Sequence, residues 1–148
     1  MNIRSVSNVF LLIFCIALPL FVGYTGSFFT MAGVSGWYQT LQKPWFNPPD
    51  WMFGPAWTIL YILMGISWWL VLWHGIEKHT VRVATVWFLL QLGLNLLWSY
   101  VFFSMQSIIG GLCVIPVLII MILLTMHYFR SASRGAVWLL LPYLCWTV

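Results

Sequence analysis

Within "VRVATVWFLLQLGLNLLWSYVFF", residues 81–103, Trp87, Gln91, Asn95, Trp98 and Phe102 recur at steps of 4, 4, 3 and 4. Those steps follow one face of a helix. Two amides and three aromatics therefore share a stripe. Buried amides commonly hydrogen-bond neighbouring helices and so hold a bundle together. The same groups, set among aromatic rings, would also suit a flat, mostly apolar ligand with a few carbonyls or carboxylates. Spacing alone leaves both readings open. Trp57, Tyr61, Met64 and Trp68 form a similar stripe, as do Trp138, Pro142 and Trp146. Packing accounts for either of these taken by itself.

Conventional catalysis has little to work with. No Ser/His/Asp set and no metal-ligating cluster can be assembled. His74, His79 and His127 fall at the ends of apolar runs, whereas a bis-histidine haem carrier needs histidines deep and facing one another. Cys15, Cys113 and Cys145 sit inside apolar runs with no C-x-x-C spacing, as small buried side chains do. No metal site and no obligatory cofactor are expected.

The elements that must position the stripes follow from composition. The 148 residues are 63% hydrophobic and 5% charged, with a mean hydropathy of +0.98. Six Lys and Arg with two Asp and Glu cannot give a soluble fold its polar skin, since soluble domains are about 25% charged. A polytopic membrane protein of one domain is expected, seated in the lipid bilayer. The basic residues are scattered between apolar runs, so no nucleic-acid surface is implied.

Four runs have about the ~20 residues that a helical span needs: 6–29, 55–73, 81–103 and 107–129. A signal peptide is a poor account of the first, which is too long and closes on no A-x-A-like site. A fifth run, 135–148, would reach roughly 21 Å as a helix. It is expected to be a fifth transmembrane helix cut short at the C-terminus, with a re-entrant segment as the alternative. Charges stand at the ends of these runs, so a charge-coupled pump or voltage sensor is disfavoured. Five spans put Arg4, Lys78, Arg82, Arg130 and Arg134 on one side and Lys43 on the other. The positive-inside rule then places the N-terminus in the cytoplasm.

Depth brings Trp57, Asn95, Trp98 and Trp146 into the outer half of such a bundle. Above them lies "KPWFNPPDWMFGPAW", Lys43 to Trp57. Its prolines forbid one continuous helix. Asn47 is expected to cap a short turn opened by Pro48, and Gly54-Pro55 to open the second span. The segment reads as a semi-rigid lid, residues 30–54. An interfacial aromatic belt explains its tryptophans but not its prolines, and the two roles can coexist.

"WYQTLQKPWFNPPDWMFGPAWTILYILMG", Trp37 to Gly65, resembles the first loop and second helix of the TspO/MBR family, the tryptophan-rich sensory proteins and translocator proteins. The shared pattern is W-Y-x-x-L-x-K-P-x-W/F-x-P-P followed by F-G-P-x-W-T-x-L-Y. "QLGLNLLWSYVFF" resembles the family's third helix and "WLLLPYLCWTV" the start of its fifth. The resemblance implies a single all-α domain, residues 1–148, of five transmembrane helices, usually a homodimer. It implies a pocket capped by the first loop that binds a porphyrin such as protoporphyrin or haem. Many members also bind cholesterol and isoquinoline or benzodiazepine-type drugs. By motif position the ligand-binding residues would be Trp37, Tyr38, Trp57, Gln91, Asn95, Trp98, Pro142 and Trp146. The implied role is tetrapyrrole transport or stress sensing. The alternative is light-dependent porphyrin degradation, attributed to some members, with Trp57 and Trp146 at the reactive positions. The sterol-recognition segment of animal members lies beyond Val148, so sterol binding through it does not carry over. Trp98-Ser99-Tyr100 is similar to bacterial members, which implies a bacterial inner membrane.

Overall fold

The computed structural model describes residues 3–148, with side chains from Ser7 onward; the Arg4 side chain lies outside the described residues. Five helices follow one another: α1 (Ile3–Val34), α2 (Asp50–Leu72), α3 (His79–Ser99), α4 (Ile108–Ala132) and α5 (Arg134–Thr147). No strand occurs among the described residues. The helices close a ring in the order α1, α2, α5, α4, α3 and back to α1. Four of them are long and apolar enough to cross a bilayer, and the chain is a multi-pass membrane protein. The fifth, at 14 residues, is the shortest.

One seam shows how sequence sets helix separation. Pro19 in α1 has no N–H to give the carbonyl four residues back, that of Cys15. Gly65 of α2 lies against this carbonyl: a Cβ there would stand 2.6 Å from the Cys15 oxygen and 2.6 Å from the Ile16 Cα. Only glycine lets the two backbones approach so closely, which is how helices associate where lipid competes for apolar surface.

The connections are short where one residue does two tasks. Ser133 ends α4 and caps α5, its hydroxyl accepting from the Ala136 N–H at 3.4 Å. Gly75, at φ +100°, turns the chain between α2 and α3 in a conformation that side chains disfavour. α3 continues into a π turn, Tyr100–Ser104, in which the Met105 N–H reaches the Tyr100 carbonyl at 3.0 Å. Such turns relax the helical ladder by one residue and re-aim the side chains on it.

Two expectations about the loop are corrected. α2 opens at Asp50, capped by Pro49, and Gly54-Pro55 lies inside it. Pro55 removes the N–H that would reach the Trp51 carbonyl, and Asp50 complements the helix N-terminus. Asn47 does not cap a helix. Its amide donates to the Pro48 carbonyl at 3.1 Å and its oxygen accepts from the Tyr38 hydroxyl at 3.2 Å. The short helical piece of the loop is instead the 3₁₀ turn Trp37–Thr40.

The end away from this loop is filled by stacked rings and interhelical hydrogen bonds. Trp68 stacks on Phe88 at 5.0 Å and 21°, and Phe88 on Phe129 at 5.9 Å and 22°. The Trp68 indole donates to Thr85 Oγ1 at 3.2 Å, and the Ser67 hydroxyl to the Ala136 carbonyl at 2.7 Å.

Candidate functional site: an aromatic cavity under the loop

At the loop end the ring of helices does not close on itself. A cavity of about 320 Å³ is left there. α2 contributes Phe53 and Trp57; α3 and its π turn contribute Asn95, Trp98, Phe102 and Phe103. α4 supplies Ile115 and Leu118, α5 supplies Trp146 and Thr147, and the loop closes over them with Tyr38, Asn47 and Pro48. The volume lies at the lower end of the ~300–1,000 Å³ typical of small-molecule sites. A wider cavity of about 750 Å³ lies between α1 and α2 and shares Phe53, Trp57, Trp98 and Phe103 with the first. These four side chains form a partition between the two spaces.

The walls are built from ring contacts. Trp98 and Phe102 stack in parallel at 5.2 Å and 7°, and Phe103 meets each edge-on. The π turn makes this possible by turning Phe102 and Phe103 inward in succession. Trp57 stacks on Tyr61 at 5.5 Å and stands edge-on to Trp146 at 6.5 Å. Phe53 meets Trp146 and Tyr38, each at 6.2 Å.

The floor is a hydrogen-bonded layer. The Tyr61 hydroxyl donates to Asn95 Oδ1 at 2.7 Å, and Asn95 Nδ2 donates to the Tyr143 hydroxyl at 3.1 Å. Asn95 thereby ties α2, α3 and α5 together, and at 1% exposure it shows the cavity only an edge. The glue half of the sequence alternative therefore describes its bonds.

Five of the eight residues named from the sequence line the cavity: Tyr38, Trp57, Asn95, Trp98 and Trp146. The other three stand elsewhere. Trp37 packs behind the wall, edge-on to Phe102 at 5.3 Å. Gln91 is buried one turn below the floor with its amide 3.9 Å from Met64 Sδ, and its Oε1 has no partner. Pro142 is exposed on the outside of the bundle, as is Trp138. The face of α5 that turns inward carries Ala136, Leu140 and Tyr143 instead. The α3 stripe divides too, since Trp87 leaves it to stack on Tyr128 of α4.

Phe53, Phe103, Ile115, Leu118 and Thr147 were not singled out by the sequence. The F-G-P motif contains Phe53 and could have pointed to it. The aliphatic pair on α4 carries no signal that separates it from other lipid-soluble residues. The Trp98 indole N–H is occluded and without an acceptor. The cavity lining is thus mostly ring and aliphatic surface, with Asn95, Asn47 and Thr147 as its polar side chains beside the Tyr38 hydroxyl. No cluster of metal-ligating side chains exists among the described residues.

The loop has two faces. Tyr38 is 8% exposed and lines the cavity, whereas Trp45 is 95% exposed and Phe46 and Trp51 are exposed beside it. Tyr38 thus faces the cavity, while Trp45 and Phe46 of the loop and Trp51 at the start of α2 face away from the bundle.

The TspO/MBR family model matches residues 15–148. The Tryptophan-rich protein TspO of Chlorobaculum tepidum is 51% identical over 139 residues, covering 94% of this chain and 88% of that protein. A protein of the same name in Archaeoglobus fulgidus is 44% identical over 139 residues, covering 94% and 89%. The Translocator protein of Bos taurus is 33% identical over 134 residues, covering 87% and 77%.

Proposed function

The chain belongs to the TspO/MBR family of membrane proteins, and from that premise we propose that it binds a porphyrin, protoporphyrin or haem, in the cavity beneath the loop. Its task is then the transport or stress sensing of tetrapyrroles. The observation that carries this reading is the cavity itself: flat aromatic walls around a mostly apolar space, with a few amide and hydroxyl groups among the lining residues. A planar, mostly apolar macrocycle with a few polar groups matches that lining. The same walls would admit isoquinoline or benzodiazepine-type molecules, and a sterol by its apolar body alone. Tetrapyrrole titration of the purified protein, followed by tryptophan quenching, tests the reading. Saturable binding is expected, competed by a benzodiazepine-type ligand, and a linear, unsaturable response overturns it.

Photochemical degradation of the bound porphyrin is the second reading. It is favoured by the meeting of Trp57 and Trp146 on one wall, where indoles next to an excited macrocycle would act as electron donors. Light-dependent loss of bound porphyrin that disappears in Trp57→Phe would select it.

The proposed setting is a bacterial inner membrane with the N-terminus in the cytoplasm. Lys78, Arg82, Arg130 and Arg134 gather at the end opposite the loop, against Lys43 at the loop end, and this supports that orientation. A homodimer is proposed through the open face of α3. Gly93 has nothing within 4 Å of where its Cβ would be, so a partner helix could approach there. Other small residues are not open in this way: Ala84 is fully buried, and Gly110 and Gly111 pack on Val101 and Phe102. Gly93→Leu is expected to move the protein toward monomer in detergent, read by light scattering. An unchanged dimer mass removes this face from the interface.

A further inference from the structure

We propose that Lys43 is the residue that recognises the ligand's anionic group at the mouth of the cavity, and that the site selects flat apolar molecules bearing a carboxylate. The inference rests on the tetrapyrrole reading and specifies which feature of such a ligand is read. Among the described residues Lys43 is the lone Lys or Arg at the loop end of the bundle. Its amine lies 4.2 Å from the centroid of the Tyr38 ring, and Tyr38 is a cavity wall. The cation therefore rests on a ring that lines the cavity, although Lys43 itself is not a lining residue.

Its present partners are weak. The hydrogen bond to Gln39 Oε1 is long, at 3.4 Å, and no carboxylate pairs with it among the described residues. The one acid at this end, Asp50, is taken by the Gln39 amide at 2.5 Å, which also holds the Val34 carbonyl at 3.0 Å. Gln39 thus bridges the acid and the base of the loop through one side-chain amide. An aromatic face holds a partly exposed ammonium less strongly than a carboxylate does through a charge-assisted hydrogen bond. A ligand carboxylate would displace the ring.

Two of the polar groups on the aromatic wall are not free to receive a carboxylate. The Trp98 N–H is occluded, and Asn95 is committed to two tyrosines. Asn47, on the hydroxyl of the same Tyr38, has a second amide hydrogen not spent on the Pro48 carbonyl. The mouth therefore offers a cation over the Tyr38 ring and a neutral donor beside its hydroxyl. The interior offers apolar surface for the body of the molecule.

The test compares protoporphyrin with its dimethyl ester, which keeps the macrocycle and removes both charges. In the wild-type protein the acid is expected to bind at least fivefold more tightly than the ester, and its affinity to fall with added salt while the ester's does not. Lys43→Met should abolish this preference and leave the ester's affinity within about twofold. Lys43→Arg should keep most of it. Equal affinity for acid and ester in the wild type overturns the proposal. So does an unchanged ratio in Lys43→Met, or an equal loss for both ligands, which would make Lys43 a latch of the loop. Failure of both ligands to bind the wild type defeats the tetrapyrrole reading itself. The salt dependence of the wild type needs no variant to fold.

Discussion

Trp57 and Trp68 sit eleven residues apart on α2 and do opposite things. Trp68 is 4% exposed, stacked on Phe88, with its indole N–H bonded to Thr85. Trp57 is half-buried, with one side on Tyr61 and an edge toward Trp146, and the cavity beside it. Residue type does not distinguish them. What differs is whether neighbouring helices fill the space in front. At the far end Ser133 joins α4 to α5 through a single residue, and α5 is pinned to α2 by Ser67. At the loop end α4 and α5 both contribute side chains to the cavity wall. One half of the molecule spends its aromatics on cohesion and the other spends them on a surface.

The contrast is broken most forcefully at Phe88, which is fully buried between Trp68 and Phe129. Phe88→Ala is expected to cost about 3–5 kcal/mol of stability. It should leave the porphyrin affinity of the folded fraction as it is, because Phe88 lies away from the cavity. The melting temperature in detergent and a titration of the folded protein check the two halves of this statement. A comparable loss of affinity would mean that the far end also shapes the site.

Asn95 lies on the border between the halves. Asn95→Leu removes a donor and an acceptor together and leaves the Tyr61 and Tyr143 hydroxyls buried without their partner. The expected cost is about 1–3 kcal/mol, seen as a lower melting temperature. Affinity should change by less than about threefold. A protein that keeps its melting temperature but loses tenfold in affinity would instead make Asn95 a ligand residue.

Much of this arrangement was legible in the sequence. The long helices were, because lipid demands about 20 apolar residues in a row and the chain supplies them. α1 runs further in both directions than the apolar window, to Ile3 and Val34, since a helix need not stop where hydropathy does. The outer-half position of Trp57, Trp98 and Trp146 was legible from counting residues along each span. Helix phase was not. Trp138, Pro142 and Trp146 share a stripe by spacing, yet the first two face outward, because the inward side of α5 is chosen by where α2 and α4 stand. The cavity is defined by what four helices and a loop fail to fill, and Ile115 and Leu118 on α4 reveal nothing of that by themselves. Asn95 shows the limit most plainly: its spacing fits glue and ligand equally, and only its two tyrosine partners decide its bonds.

Trp57→Ala tests the surface side of the contrast. The side chain is half-buried and forms a wall shared by both cavities. Its removal should weaken porphyrin binding by about 1–2 kcal/mol, roughly five- to thirtyfold, and lower the melting temperature less than Phe88→Ala does. If stability falls as far as in Phe88→Ala while affinity holds, Trp57 is core and the contrast with Trp68 is void.

The smallest effect, and the finest test, belongs to Trp98→Phe. The Trp98 ring lines the cavity and stacks on Phe102 at 5.2 Å, but its N–H is buried with no acceptor. A buried donor left unpaired costs about 1–3 kcal/mol. Phenylalanine removes that donor and keeps a stacking face, while losing the contacts of the second ring. The two changes oppose each other, so stability is expected to stay within about 1 kcal/mol of wild type, a balance of the same order as each part. Affinity should stay within about twofold, because the N–H does not open onto the cavity. Trp98→Ala, which takes away the ring, should lose several times more. A fivefold or greater loss in Trp98→Phe would show that the N–H reaches the ligand in the bound state. The partition made by Trp98 and Trp57 would then have to shift on binding, and the loop half would be a site that forms around its ligand and not one that stands ready for it.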